Sequence, residues 1–539
     1  MEKQQGPSTN MIASRFIAAR PTIQKILSSA GTVGLSYGVL HHGEVVHVDN
    51  FGYRDHAQKI PMTEETMMPI CSMTKGLVSS ALGFLVEEGK LEWDTRVAEL
   101  LPEFASRSQT LKESATLTDF LSMRSGIERY NIWTQSDNRI DFAKSDGMKI
   151  INSLGTVFDL RADFAYNNWG YKIATRVCDK VTGQSWDSYL HEKVFRPLGL
   201  RRTDASGDRE GFDNVARSYM VLDDLTPVEI PTIEMSGKTI LGGAGGVVSC
   251  IKDLLPLYKH MLKGAVHQFE NSSTATPNNI FRQLPSTMSA HSQVGGPSYH
   301  ESTYGLGWMR TQLPNTLLKF GTNVGLLGEG PVIGRGADTK LVIAHYGSMP
   351  GNFAAVLMYP ESESAIVVLT NTTPLCDMTD YITQFLTQTL FDFPEKVDIF
   401  SWVKRTVEEE LKWYSRLVAD RDCKGTNSTD IVNLQQYIGR YWNTTKTLLI
   451  EIRTDLESLV ISFEGRAEEM WPLTHCRGEV FSWLQPRNKL VSRGRVVLQS
   501  APYYEIRFAR AGHGSVNSLF WSHDSMIPGG EEYTKENTK

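Results

Sequence analysis

The chain has 539 residues, 41% hydrophobic and 22% charged, the balance of a folded globular protein and not of a disordered or fibrous one. At roughly 150 residues per domain the length allows three or four shares, two of which one large α/β catalytic domain can absorb. Fifty-five basic against 61 acidic residues leave a net charge of −6, which removes the electrostatic ground for a nucleic-acid partner.

In chain order, residues 32–40 and 45–52 are apolar runs flanking His41-His42-Gly43-Glu44, the pattern of a β-hairpin. Residues 75–91 carry Leu77, Leu82, Leu85 and Val86 at helical spacing and close on Gly89-Lys90, which puts Ser72 at a helix start. A second helix is expected over 116–125 with Thr118 as its N-cap, and helical periodicity returns over 169–195 before Pro197 and Gly199. The stretch 265–301 is polar and aperiodic and reads as a long, lid-like loop. Strand character marks 341–345, 353–359 and 364–370.

These elements predict one mixed α/β (α+β) domain over 10–395. A helical linker follows over 396–430, with a charged helix at 403–418 and a polar break at 420–429. Residues 431–525 contain short apolar runs at 447–452, 459–463, 496–498 and 504–508, the spacing of a small antiparallel sheet or barrel. The end from 528 onward is expected to fray. No apolar run approaches the roughly 18 residues of a membrane span, and the first ten residues hold no apolar core of a secretory signal. A cytoplasmic protein with no membrane partner is expected, and its six scattered cysteines read as reduced thiols. The sequons at Asn271, Asn371, Asn427 and Asn443 then carry no weight.

The chemistry centres on Ser72-Met73-Thr74-Lys75. Positions three apart share a helix face, so the Lys75 amine can reach the Ser72 hydroxyl. A lysine in an apolar place loses its proton more readily, and the helix start offers a backbone N–H to an oxyanion. Ser249-Cys250-Ile251-Lys252 and Ser401-Trp402-Val403-Lys404 show the same tetrapeptide pattern, and a helix cap with a solvated lysine explains any of the three equally well. Context favours Ser72, with a hairpin before it and a long apolar helix after it. Tyr166-Asn167-Asn168 sits at a turn before the helix at Trp169, and His345-Tyr346-Gly347-Ser348 follows a strand. The small residue lets a substrate carbonyl lie along that strand, with the Ser348 N–H as a second oxyanion donor. Taken singly, Tyr166 is an ordinary core or surface tyrosine and His345 a satisfied strand histidine. The order of the three motifs is what singles them out.

Ser-X-X-Lys, Tyr-X-Asn and His/Lys-X-Gly in this order resemble the superfamily of class C β-lactamases, DD-peptidases and family VIII esterases, over roughly residues 20–375. The resemblance implies a β-lactamase/transpeptidase-like domain with a mixed antiparallel sheet and a helical subdomain, followed by a small lipocalin-like β-domain with Tyr437 to Tyr441 near its start. It implies Ser72 as acylated nucleophile, Lys75 as the amine sharing its proton, Tyr166 as base or relay, Asn168 as orienter of the acyl group, and the N–H groups of Ser72 and Ser348 as oxyanion hole. His345 is counted with Ser72, Lys75 and Tyr166 as catalytic, and Tyr346 and Gly347 would lie with Ser348 along the substrate-facing strand. Here Tyr346 stands where a small hydroxyl helps hold a substrate carboxylate, which argues against penicillin or D-Ala-D-Ala recognition.

Glycines 242, 243, 245 and 246 lack the phosphate-loop spacing, and the resemblance implies a structural turn there before a helix capped by Ser249. No cofactor and no metal are expected. The expected function is an intracellular serine hydrolase or acyltransferase, passing an acyl group from a small-molecule ester or thioester through Ser72 to water or an alcohol. Polyketide acyltransferases of the superfamily suggest secondary metabolism and an acyl-carrier partner. The competing readings are a catalytically silent binding or assembly protein, and an isomerase or cyclase using Lys75 and Tyr166 for proton transfer without acylation.

Overall fold

In the computed structural model, residues 9–537 are described apart from 133, 421–432, 457 and 513. The hairpin Gly34–His41 and Glu44–Asp55 turns at His42 and Gly43, both with positive φ (51° and 72°). This is the two-residue turn whose twist matches that of the strands. It is not an edge hairpin: Gly34–His41 pairs antiparallel with Ser364–Thr370, whose seven residues are all buried. Strand order in this nine-stranded sheet runs Ser292–Gln293, Ser302–Tyr304, Met309–Leu313, Lys340–Met349, Asn352–Tyr359, Ser364–Thr370, Gly34–His41, Glu44–Asp55, Ile60–Pro61.

The central strands are buried on both faces, and so read as continuous apolar runs rather than alternation. Gly38 faces Ile251 and Leu255 of helix Ile251–Glu270. On the other face, Phe16 of helix Thr9–Ser29 stacks on His47 beside Tyr37, and helix Met378–Phe391 packs on the strands beside it. The helices carrying the Ser72 and Tyr166 motifs, Thr74–Glu87 and Trp169–Thr182, pack together beside the sheet. They form the helical subdomain of a β-lactamase/transpeptidase-like fold.

Several expectations need correction. The long first helix, Thr9–Ser29, carries Pro21 in its interior and gave no clear sequence signal. Thr116, not Thr118, caps Leu117–Leu121: its hydroxyl accepts from Asp119 N at 3.3 Å while the Asp119 carboxylate accepts from Thr116 N at 3.0 Å, a reciprocal box. The helix expected over 169–195 breaks at Gly183 (φ 72°) and resumes as Trp186–Leu190. Ser249 is not a cap either; Cys250 holds that position, and the Ser249 hydroxyl meets Thr203 at 2.8 Å.

The stretch 265–301 is no lid. It begins inside helix Ile251–Glu270 and holds Leu284–Met288. Several of its polar side chains are buried partners of the backbone, Gln268 Nε2 donating to Phe281 O at 2.9 Å and Asn279 Nδ2 to His260 O at 2.7 Å, while residues 295–300 are exposed. Polar composition here satisfies an irregular backbone, which sequence reading mistakes for solvent exposure.

After helices Ile399–Leu411 and Trp413–Asp420, the expected polar break lies from 421 outside the described residues. Beyond it a second nine-stranded antiparallel sheet runs from Met470–Pro472 to Thr474–Arg477 at its two edges. Only Leu473 separates those edge strands, so the sheet curls into a nearly closed barrel. Phe463, Trp471, Trp483, Trp521, Tyr441 and Phe508 are buried in its core. The run 496–498 is not a strand, and the expected fraying from 528 is not found over Glu531–Lys535, which pairs with both Gly439–Asn443 and Val516–Trp521. Cys71, Cys178, Cys250 and Cys376 are free thiols, whereas Cys476 is disulfide-bonded, against the expectation of reduced cysteines throughout.

The barrel docks on the first half through buried polar ties. Arg129 reaches Asp524 at 3.1 Å, Asn443 Nδ2 donates to the Tyr130 hydroxyl at 2.9 Å, and Arg487 pairs with Glu410 at 2.9 Å.

Candidate active site

A short 3₁₀ turn, Cys71–Met73, leads into helix Thr74–Glu87, and Cys71 enters it with φ of 50°. A buried non-glycine residue held in the left-handed region is strained backbone of the kind found where a side chain must be presented at a site. Its neighbours Cys71, Met73 and Lys75 are fully buried, while Ser72 is half-buried and lines a cavity of about 340 Å³.

The i, i+3 expectation holds geometrically. Lys75 Nζ donates to Ser72 Oγ at 2.9 Å and to Ala244 O at 2.8 Å. Burial holds the amine well below the ordinary lysine range. The glycine-rich segment at 242–246 explains itself here. Buried against Ser236 and Thr175, with no room for Cβ atoms at Gly242 and Gly243, it brings the Ala244 carbonyl to Lys75.

Tyr166 lines the same cavity as Ser72, and burial raises its phenol. Lys75 Nζ lies 5.0 Å from the centre of its ring. The turn that presents Tyr166 and Asn168 is locked by Asn167 between them: its amide donates to Ile127 O at 3.0 Å and Glu128 O at 2.9 Å and accepts from Trp169 N at 2.8 Å. Asn168 lines the cavity, its amide 3.5 Å from Asn131 Oδ1.

Strand Lys340–Met349 passes close to the start of the Ser72 helix because Gly347 has no side chain: a Cβ there would stand 2.5 Å from Ile70 O and 2.9 Å from Ser72 N. The strand turns at Pro350-Gly351, pairing Met349 with Asn352. In such a two-residue hairpin the closing pair is hydrogen-bonded and the next, Ser348 with Phe353, is not. Strand Met309–Leu313 on the other side stops opposite Ala344. The Ser348 N–H is therefore used by neither neighbour, at the edge where Ser72 N lies.

His345 and Tyr346 are placed differently from expectation. The His345 ring lies behind Tyr166, centres 6.4 Å apart. Its Nδ1 is 2.7 Å from Tyr346 O, an acceptor only, so Nδ1 carries the proton and Nε2 accepts from the Tyr304 hydroxyl at 3.0 Å. Burial pushes this imidazole down to about 3, leaving it neutral. Tyr346 was expected at the substrate. Side chains alternate along a strand, so with Gly347 facing Ser72 the Tyr346 phenol faces the opposite side, near Asp380, Thr383 and Tyr359. It does not line the cavity.

Sequence reading missed the far wall, built from Glu410, Tyr503 and residues 495–499. Glu410 pairs with Arg487 at 2.9 Å and Arg495 with Glu469 at 2.8 Å. With His345 neutral, the cavity offers a substrate carboxylate no unpaired cation among the described residues. No motif marks these residues; some 340 to 430 positions of chain separate them from Ser72. Among the described residues, no group of His, Cys, Asp and Glu could hold a metal ion, and no helix is long and apolar enough to cross a membrane.

Fold and site together define a serine hydrolase of the β-lactamase/transpeptidase-like class. The chain belongs to the Beta-lactamase family, whose profile matches residues 19–388; a second profile, a domain of unknown function called DUF3471, matches 424–534. Among its relatives is the serine beta-lactamase-like protein LACTB, mitochondrial, of Homo sapiens, 22% identical over 66% of this chain and 74% of that protein. Penicillin-binding protein 4* of Bacillus subtilis is 21% identical over 81% of this chain and 85% of its own. In the octameric penicillin-binding protein homologue from Pyrococcus abyssi the same fold recurs, with a TM-score of 0.56 at 18% identity, covering 96% of this chain and 100% of that one.

Proposed function

We propose that the protein forms an acyl-enzyme at Ser72 with an uncharged small-molecule ester or thioester and passes the acyl group to water or an alcohol. The observation that carries this reading is the pair Ser72 and Lys75: a half-buried hydroxyl on a cavity, bonded at 2.9 Å to a fully buried amine whose burial favours its neutral form. Lys75 or Tyr166 takes the Ser72 proton as Oγ bonds to the substrate carbonyl carbon. The oxyanion is held by the N–H groups of Ser72 and Ser348, and the same proton goes to the leaving alcohol or thiol as its bond to the acyl carbon breaks. Asn168 supports the acyl group. His345 acts through Tyr304 and the position of Tyr166 and is a positioning residue. The paired state of Arg495 and the neutrality of His345 favour uncharged substrates over penicillins and D-alanyl peptides. Acyl transfer in secondary metabolism, with an acyl-carrier partner, and a cytoplasmic setting belong to the same reading; relatives described as mitochondrial make subcellular fractionation the measurement that separates the locations.

The test is intact mass after exposure to a fluorophosphonate and to short acyl esters and thioesters. Adducts on the wild type that vanish in Ser72→Ala, with turnover falling at least a hundredfold, are expected. A folded wild type that turns substrate over without an adduct, and a Ser72→Ala variant that retains turnover, would favour proton transfer without acylation. No turnover at all would favour a binding protein.

A further inference from the structure

Beyond the cavity at Ser72 lies a second hollow of about 580 Å³ that shares four of its walls, Thr322, Val497, Leu498 and Gln499. The shared residues form the partition between the two, and the outer hollow is within the size range of sites that take drug-sized ligands. Phe320, on the outer hollow, has its ring 5.8 Å from that of Tyr166, so the hollow starts beside the groups that would react. The segment dividing them, residues 495–500, crosses as a strap. It is fastened by the Trp413 indole, which donates to Gln499 O at 3.1 Å. Leu498 holds φ of 66°, a conformation costly for a branched side chain and kept only where the surroundings impose it.

The lining of the hollow is mixed, with Thr322, Gln499 and Ser500 beside its apolar and charged residues. Phe320, Leu326, Trp413, Leu417, Val497 and Leu498 give it apolar walls, and among the described residues Phe320 is left 40% exposed. Of the charged residues, Glu409 and Arg416 pair with each other, which leaves Asp420 alone on the lining. A large aromatic surface left open next to a reactive hydroxyl is a place for apolar substrate surface.

We propose that this outer hollow is a substrate subsite for an apolar chain, so that the preferred acyl groups are medium to long and run from Ser72 beneath the strap to Leu326 and Trp413. This rests on the acyl-enzyme reading above, and the experiment separates the two. Hydrolysis of p-nitrophenyl esters from acetyl to decanoyl is measured for the wild type and for Leu326→Trp, which fills the hollow away from Ser72. Binding of decanamide and acetamide to Ser72→Ala, with and without Leu326→Trp, is measured by calorimetry.

The wild type is expected to prefer decanoyl over acetyl at least tenfold in kcat/KM. Leu326→Trp should erase that preference through KM, leave acetyl turnover within twofold, and weaken decanamide at least tenfold. Leu326→Asp, a charge on the same wall, should do the same and stands in if the tryptophan variant misfolds. Equal rates across chain lengths, or variants that slow acetyl and decanoyl alike, would overturn the subsite while leaving the acyl-enzyme intact. Chain-length-dependent binding to Ser72→Ala without any covalent adduct on the wild type would keep the subsite and overturn the acyl-enzyme.

Discussion

Lys75 shows how a catalytic group can oppose the stability of its own fold. It is fully buried, with hydrogen bonds to Ser72 Oγ and Ala244 O, and burial depresses its pKa. The unfolded chain holds the proton up to about pH 10.4, so the folded state binds fewer protons and stability rises with pH toward that value. Replacing the amine by an apolar side chain of similar length removes this penalty. Lys75→Met is therefore expected to abolish turnover yet unfold at a higher temperature than the wild type at pH 7, with the gap closing as pH approaches about 10. Thermal melts across that range check it; a variant less stable than wild type at pH 7 would show that the lost hydrogen bonds outweigh the relieved burial. The spacing of Ser72 and Lys75 was legible because both lie on one local turn. What the amine donates to besides Ser72 was not, since Ala244 is 169 positions away and its glycines suggest a loop rather than an acceptor.

At the scale of the element, strand Lys340–Met349 decides which of its residues can meet a substrate. Three sequence neighbours have three separate fates: His345 behind Tyr166, Tyr346 against the helix on the opposite face, Gly347 against the Ser72 turn. The motif located the strand but could not say which way it faces, because all three are buried and no polar alternation fixes the faces. Substituting Tyr346→Thr does not, then, open the cavity to penicillins. It empties a space behind the sheet and is expected to cost about 2–4 kcal/mol of stability with KM for neutral esters unchanged. Denaturant unfolding and a β-lactam hydrolysis assay check both halves; new penicillin turnover would return Tyr346 to the substrate's side.

Taken whole, the molecule builds its reaction space from two sequence-distant halves. The hairpin, the Ser72 helix and the later strands announced the first half through apolar runs and motifs. The barrel announced itself by spacing, yet nothing in residues 495–499 told that they wall the site, since no period or motif links them to Ser72. Arg487 is the buried tie at this junction, joined to Glu410 at 2.9 Å, Val221 O at 2.9 Å and Asp223 at 3.0 Å. Arg487→Ala leaves Glu410 uncompensated on the cavity wall and is expected to cost about 3–5 kcal/mol, whereas Arg487→Met with Glu410→Leu should recover most of it. Thermal unfolding of the single and double variants decides this; equal losses in both would mean that packing and not charge makes the tie.

The place of strand Glu531–Lys535, between Gly439–Asn443 and Val516–Trp521, bears on how the protein comes to life on the ribosome. Strand Gly439–Asn443 pairs locally with Leu449–Asp455 but must wait for its other partner some ninety residues downstream, and pairings of that span form late. The nucleophile turn, by contrast, is made of neighbours and can form early. A nascent chain would thus carry its reactive serine long before the barrel that walls its cavity has closed, and would become competent for its proposed chemistry only once residues 531–535 have been made.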